Sequence, residues 1–196
     1  LKPLAEDALS LPVRTGKARV IGIEPASLVT KSLVREVKTD DAGCFQSALN
    51  PGLTKIAVIE RHKRTGKLGI GILEGYGLTG GAIATTISHD SHNIVVAGDN
   101  DPDMLLAVRE LADMGGGIVS VHGGAIRRLP LPIAGLMTSA DPQEVNAVLH
   151  DMLVAARAEL GIPEDVEPFM TLSFMALPVI PELKLTARGL FNVNTF

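Results

Sequence analysis

The sequence predicts an α+β fold in which a largely antiparallel or mixed β-sheet packs against two main α-helices. Three observations support this prediction: the β-rich runs come in neighbouring pairs joined by short turns, only two segments carry helical start signals, and the elements are grouped rather than strictly alternating. Grouped elements favour antiparallel neighbours over the parallel sheet of a doubly wound fold. A short β-rich segment precedes this arrangement.

The first two predicted strands, Lys17–Ile23 and residues 28–37, mix β-branched side chains with alternating charges and flank a Glu-Pro-Ala turn. Residues 39–52 are rich in Asp, Asn, Gly and Pro, the residue types of loops and turns. We therefore divide the chain into a β-rich segment, residues 1–52, and an α+β domain, residues 53–196.

Further strands are predicted where short apolar, β-branched runs are bounded by polar or glycine-containing connectors. The connector of the first such hairpin is a polar stretch that ends in Gly66-Lys67, and that of the last is Gly123-Gly124. These strands are predicted at residues 56–59, 68–73, 82–87, 93–97, 118–121, 126–129 and 170–180.

Two helices are predicted after Asp101 and Asp141, because in both places an Asp that can cap the helix is followed at once by Pro, which suits the first helical position. Apolar residues at helical spacing follow on one face of each segment. Glycines end the two patterns at Gly115 and Gly161. Both helices are expected to pack on the sheet.

Composition excludes several classes of function. The net charge is -4 and only 3% of the residues are aromatic, which argues against nucleic acid as a partner. No apolar run is long enough to span a membrane, and Cys44 is the only cysteine, so the sequence predicts a cytoplasmic protein without an internal disulfide. The chain begins at Leu1 rather than Met, which indicates a fragment of a longer protein.

One connector concentrates polar chemistry. His89, Asp90, Ser91, His92 and Asn93 follow one predicted strand and precede the next, and His with Asp can exchange protons near neutral pH. The alternative is a hydrogen-bonded turn in which Asp90 and Asn93 satisfy backbone groups. The two imidazoles and one carboxylate are too few for a self-contained metal site, so no metal ligand is assigned in this chain.

Two other segments have open interpretations. The charged run at residues 60–64 is either a solvated turn or an anchor for a neighbouring domain or a substrate-side loop. Residues 168–181 are apolar on both alternating faces, which predicts a buried strand. The Pro-flanked part, residues 176–181, cannot pair as a central strand and is free to cover another domain or subunit.

Several motifs, taken in order, make the chain resemble the C-terminal region of bacterial adenine deaminases, members of the amidohydrolase superfamily. The match covers nearly all of residues 55–190, and residues 19–23 resemble the segment that leads into it. The motifs lie at residues 59–62 with 65–66, 81–84, 89–93, 129–137, 172–174, 177–181 and 183–186.

The resemblance implies an enzyme of purine salvage that converts adenine to hypoxanthine and ammonia, with manganese or iron bound in a (β/α)8 barrel. The barrel and its His-x-His signature are absent here, so its metal ligands are expected outside this chain. Residues 1–52 are then expected to link to the barrel and to a small β domain of the parent enzyme.

Under this resemblance, the expected contribution of the chain is a loop that closes the barrel mouth. His89 and Asp90 are the expected catalytic residues nearest the substrate, and Ser91, His92 and Asn93 the residues that contact substrate or support the loop. The rival interpretation is a structural and oligomerisation module, in which residues 170–181 and 61–64 pack against the barrel or a second subunit. A homo-oligomer is expected in either case.

Overall fold

The computed structural model describes residues 1–195. Its strands are β1 (Lys17–Ile23), β2 (Thr30–Glu36), β3 (Leu53–Ile59), β4 (Leu68–Glu74), β5 (Gly81–Thr85), β6 (Ile94–Gly98), β7 (Gly117–His122), β8 (Ala125–Pro130), β9 (Leu183–Thr186) and β10 (Gly189–Asn192). Its α-helices are α1 (Asp101–Asp113), α2 (Pro142–Ala158) and α3 (Pro168–Phe174). Strands β1 to β8 form one sheet in the order β2-β1-β4-β3-β6-β5-β7-β8, and β9 and β10 form a separate hairpin.

The predicted fold class is confirmed, with a mixed sheet and helices packed against it. Neighbouring strands are antiparallel throughout the eight-stranded sheet except β1 and β4, which pair in parallel. The predicted strand pairs before α1 and after it form within three residues of the expected ends. Strands β1 and β2 belong to the same sheet as the later strands. The domain boundary at residue 52 stays a prediction.

Side-chain alternation places the core on both faces of the sheet. In β3, Ile56 and Val58 face the layer of α2, α3 and β9, whereas Ala57 and Ile59 face α1. The inner strands β5 and β6 are buried at every position, as expected for strands covered on both sides. The polar connectors between these strands therefore lie at the ends of the strands, outside the two core layers.

The helix starts use the predicted chemistry with one displacement. Asp141 caps α2, and its carboxylate accepts a hydrogen bond from the backbone N–H of Gln143 at 2.8 Å. The prediction that Asp101 caps α1 is wrong: Asn100 has the extended backbone of a cap, and its side chain accepts from the N–H of Asp103 at 2.9 Å. Asp101 is instead the first helical residue, where its negative charge interacts favourably with the helix dipole.

The predicted strand at residues 170–180 is also wrong, because this apolar segment begins with helix α3. Glu167 caps the helix through the N–H of Met170, and Pro168 occupies the first turn, the same start that α1 and α2 use. Phe169, Leu172 and Ser173 are buried at helical spacing. The apolar residues of this segment therefore belong first to the buried side of a helix and then to a buried turn after it.

The hairpin of β9 and β10 was not predicted. It packs on β4 at Gly69, where a Cβ atom would lie 2.0 Å from the backbone oxygen of Thr186. A glycine at this position lets the backbone of the hairpin approach β4 closely. No helix within residues 1–195 is both long enough and apolar enough to cross a bilayer.

Candidate functional site

The polar loop, residues 88–93, connects the two central strands β5 and β6. Strand β3 is antiparallel to β6, and Ile59 at the end of β3 pairs with Ile94 at the start of β6. The connector between β3 and β4, residues 60–67, which we call the charged hairpin loop, therefore lies directly beside the polar loop. The topology brings together two segments that are about 30 residues apart in sequence.

The charged hairpin loop holds the backbone of the polar loop. The Arg61 guanidinium donates from Nε to the carbonyl oxygen of His92 at 2.6 Å. His62 Nε2 lies 2.8 Å from the carbonyl oxygen of Ser91, so Nε2 is the nitrogen that carries the proton. Arg61 and His62 thus anchor a neighbouring loop of the same chain, whereas Lys63 and Arg64 are exposed, so both interpretations of this charged run stay open.

Glu60 gives the charged hairpin loop its own shape. Its carboxylate accepts hydrogen bonds from the backbone N–H groups of His62, Lys63 and Thr65 at 2.6, 2.6 and 2.9 Å, and from the Thr65 hydroxyl at 2.8 Å. These bonds lower the pKa of Glu60 to about 2, and the bond from the N–H of Lys63 has the largest effect. The carboxylate therefore stays ionised and organises the turn from which Arg61 and His62 extend.

His89 is positioned by α3. Its backbone N–H donates to the carbonyl oxygen of Ser173 at 3.0 Å, and its ring lies against Phe174 with centroids 4.5 Å apart. Among residues 1–195, the ring nitrogens of His89 have no hydrogen-bond partner. The structure fixes the plane of this imidazole while leaving both nitrogens available to a ligand.

Asp90 and Ser91 form the exposed tip of the polar loop. In the described part of the chain, neither the Asp90 carboxylate nor the Ser91 hydroxyl makes a hydrogen bond or ion pair. The carbonyl of Ser91 is occupied by His62, so only the side chains are free for a partner. The expectation that Asp90 satisfies backbone groups of a turn therefore does not hold, because its carboxylate accepts no such bond.

His92 and Asn93 make contacts inside the protein. His92 Nδ1 accepts from the backbone N–H of Ser88 at 3.4 Å, which requires an unprotonated Nδ1. Burial first, and then the nearby His89 and Arg61, lower the pKa of His92 and favour the neutral ring. The buried Asn93 accepts from the N–H of Arg61 through Oδ1 at 3.4 Å.

Beside these loops is an open cleft of about 950 Å³ that ends at the β9-β10 hairpin. Asp90, Ser91 and Asn93 line one wall, and Val179, which is 67% exposed, and Arg188 line the other. The exposed tip of the polar loop thus faces a broad groove with both apolar and charged walls. Such a groove suits a protein surface better than a small enclosed ligand.

A metal centre is not formed by the described residues. Within residues 1–195, no three His, Cys, Asp or Glu side chains are grouped so that they could hold a metal ion. The residues present therefore do not fit the manganese or iron that the sequence resemblance implies.

The fold and site define a domain that presents a firmly anchored polar loop beside an open groove. The His, Asp and Ser side chains at its tip have no hydrogen-bond partner among residues 1–195. Residues 27–196 match the family described as the adenine deaminase C-terminal domain, and the chain belongs to that family.

The similar proteins carry the same name. The chain is 59% identical to a protein named adenine deaminase from Nitratidesulfovibrio vulgaris, 47% to adenine deaminase 2 from Carboxydothermus hydrogenoformans and 45% to adenine deaminase from Clostridium acetobutylicum. Each match covers 100% of this chain and 34% of the relative. The chain thus spans about a third of the length of these relatives.

Proposed function

We propose that the chain is the C-terminal part of a cytoplasmic adenine deaminase of purine salvage, which hydrolyses adenine to hypoxanthine and ammonia. The supporting observation is that a family match over residues 27–196 coincides with a loop built to present reactive side chains. The substrate, adenine, would bind where the polar loop meets the rest of the polypeptide. Metal binding, by manganese or iron, is assigned to that remaining two-thirds of the enzyme.

In this proposal the polar loop caps the active site. Water replaces the exocyclic amino group of the purine, and a proton must reach the departing nitrogen as ammonia leaves. His89 and Asp90 carry unpaired polar atoms at the loop tip, and are therefore the side chains assigned to contact the base and to handle protons. A loop held over the site excludes bulk water and orients the purine, which lowers the barrier.

His92 and Asn93 have supporting roles in this scheme, whereas Ser91 has a different one. The first two are tied to Ser88 and Arg61, so they hold the loop backbone rather than approach the base. Ser91 is the exception, because its hydroxyl is exposed beside Asp90 and is assigned to substrate binding.

A second candidate function is structural, and the open cleft favours it. Its wall includes Val179 at 67% exposure, and Met170 of α3 is 56% exposed, so apolar side chains are available for a domain or subunit contact. In that case the chain acts as a docking and oligomerisation domain of the same enzyme, without catalytic contact.

The test uses the full-length, metal-loaded enzyme with His89→Ala, and His150→Ala as the control on the exposed side of α2. We expect kcat/KM for adenine to fall about 100-fold for His89→Ala, about 2.7 kcal/mol of transition-state stabilisation, with metal content and melting temperature retained. His150→Ala should match wild type. Unchanged turnover with altered assembly, followed by light scattering, favours the structural function, and an inactive wild type overturns the proposed activity.

A further inference from the structure

The guanidinium of Arg61 is the point where three separate segments of the chain meet. It extends from the charged hairpin loop, donates from Nε to His92 of the polar loop at 2.6 Å, and donates from Nη2 to the carbonyl oxygen of Ala134 at 2.7 Å. Ala134 belongs to the connector between β8 and α2. These are three of the segments that carry the family resemblance, and one side chain links them.

The fit around this guanidinium is close. Gly135 has a backbone φ of +76°, and a Cβ atom there would lie 2.9 Å from both terminal nitrogens of Arg61. Only glycine allows the connector to lie flat against the guanidinium in this conformation. The buried Thr86 hydroxyl donates to the carbonyl oxygen of Gly135 at 2.6 Å, which fixes the same turn.

Within residues 1–195, Arg61 has no acidic partner to explain its place. It makes no ion pair there, and the hydrogen bonds of its guanidinium go to backbone carbonyls. Burial lowers the pKa of this guanidinium, which shows that its charge is partly desolvated. Partial burial of this cation costs free energy, which its hydrogen bonds to two carbonyl oxygens offset. Because these carbonyls belong to different loops, the same bonds fix the geometry of the two loops relative to each other.

The polar loop depends on this contact because its own tip is unpaired. His89, Asp90 and Ser91 make no side-chain hydrogen bond within the described chain, so, apart from the ring contact of His89 with Phe174, their positions follow from the backbone that carries them. That backbone is fixed by Ser173 at His89, by His62 at Ser91 and by Arg61 at His92. The planar, forked guanidinium of Arg61 holds the carbonyls of His92 and Ala134 at once, whereas the single ammonium of lysine cannot reproduce this geometry.

We infer that Arg61 is the positioning residue of the deaminase site, which sets the polar loop against the 131–137 connector so that His89 and Asp90 meet the purine in a fixed geometry. The inference rests on the proposed function. Arg61 acts through the backbone of His92 and does not itself contact substrate.

The test compares Arg61→Ala and Arg61→Lys with Arg109→Ala in the full-length, metal-loaded enzyme. Arg109 is exposed on α1 and makes no hydrogen bond or ion pair in the described chain, so it is a matched control for loss of a guanidinium. We expect kcat/KM for adenine to fall about 100-fold for Arg61→Ala, the size of effect that a displacement of about 1 Å produces. Arg61→Lys should recover only part of it.

Hydrogen exchange measured by mass spectrometry separates positioning from general destabilisation. Peptides that cover residues 87–94 and 131–137 should exchange at least about tenfold faster in Arg61→Ala, while β3 and β6 keep their wild-type rates. If Arg61→Ala does not fold, Arg61→Lys gives the same reading, because it keeps the charge and removes the fork.

The two proposals fail differently. If His89→Ala is inactive and both Arg61 variants retain wild-type kcat/KM, the positioning role is wrong and the proposed function stands. Faster exchange over the whole domain, or lost activity without faster exchange in the two segments, also overturns the positioning role. If the wild-type enzyme does not deaminate adenine, the proposed function itself is overturned.

Discussion

The imidazole of His89 and the phenyl ring of Phe174 lie with their centroids 4.5 Å apart and their planes tilted by 33°. Phe174 is the last residue of α3, and the preceding residue accepts the backbone N–H of His89. The end of a helix near the C-terminus therefore sets the orientation of a side chain between two central strands. This contact and the bond from His89 to Ser173 join the polar loop to residues 172–174.

Phe174→Leu should reduce turnover without abolishing folding. Leucine keeps apolar volume but removes the aromatic face, and aromatic pairs contribute about 0.5–1.5 kcal/mol beyond burial, so we expect a roughly 2- to 15-fold lower kcat/KM in the full-length enzyme. The measurement is steady-state adenine deamination. Val154→Ala is the control, because Val154 is exposed on α2 and belongs to neither the loop nor the cleft. Equal activity of both variants would show that the ring contact does not matter.

Much of the fold follows from local sequence signals. The hairpins with polar or Gly-Gly connectors, the Asp141 cap and the position of the polar loop are all set by neighbours in sequence. Asn100 was missed as a cap because Asn and Asp are both good caps and stand side by side. Helix α3 was missed because an apolar run of this length reads equally well as a strand, and only the Pro168 start favours a helix.

The candidate site could be predicted only in part. The polar loop is visible as a cluster of functional groups within six residues, but the contacts that hold it are long-range. Arg61 reaches His92 over 31 positions and Ala134 over 73. Nothing in the local pattern of the charged run distinguishes Arg61 from its exposed neighbour Arg64. The distinction arises from the antiparallel pairing of β3 with β6, which only the assembled sheet provides.

Thr86→Val should destabilise the chain. The buried Thr86 hydroxyl accepts from the N–H of Gly117 at 2.8 Å and donates to Gly135, so valine leaves both backbone groups without this partner. We expect the free energy of unfolding to fall by about 1–3 kcal/mol, measured by urea denaturation. Thr138→Val removes a similar bond to an exposed N–H, that of Ala140, which water can replace. A Thr86 variant as stable as the Thr138 variant would contradict this expectation.

Glu60→Gln should loosen the charged hairpin loop. A neutral amide keeps the shape of the side chain but weakens the bonds accepted from three backbone N–H groups. We expect trypsin to cleave after Lys63 and Arg64 several-fold faster, with Glu164→Gln, an exposed substitution, unchanged. In the wild type, the same loosening should appear as pH falls from about 4.5 towards 2, because the depressed pKa stabilises the fold only while Glu60 is ionised. This arm is measured by hydrogen exchange of the peptide that covers residues 60–67, corrected for the intrinsic pH dependence of exchange. Cleavage unaffected by Glu60→Gln together with exchange unaffected by this change of pH would disprove this role.

Lys184 should make the stability of the chain depend on alkaline pH. It is fully buried in β9, donates to the carbonyl oxygen of Leu28 at 2.8 Å and makes no ion pair within residues 1–195. Burial lowers its pKa to about 8 from the ordinary 10.5. Between these two pH values the unfolded chain binds more protons at this site than the folded chain. The free energy of unfolding should therefore rise through this window, by about 1–3 kcal/mol.

Lys184→Met isolates this effect, because methionine keeps an unbranched side chain of similar length and cannot titrate. The difference in stability between wild type and Lys184→Met, from urea denaturation at a series of pH values from 7 to 11, should change in favour of wild type by about 1–3 kcal/mol as pH rises. Other groups that titrate in this range, Tyr76 among them, cancel in the difference. Lys67→Met, at an exposed position, should show no such trend. A pH-independent difference for Lys184→Met would mean that this ammonium is charged at no net cost inside the fold.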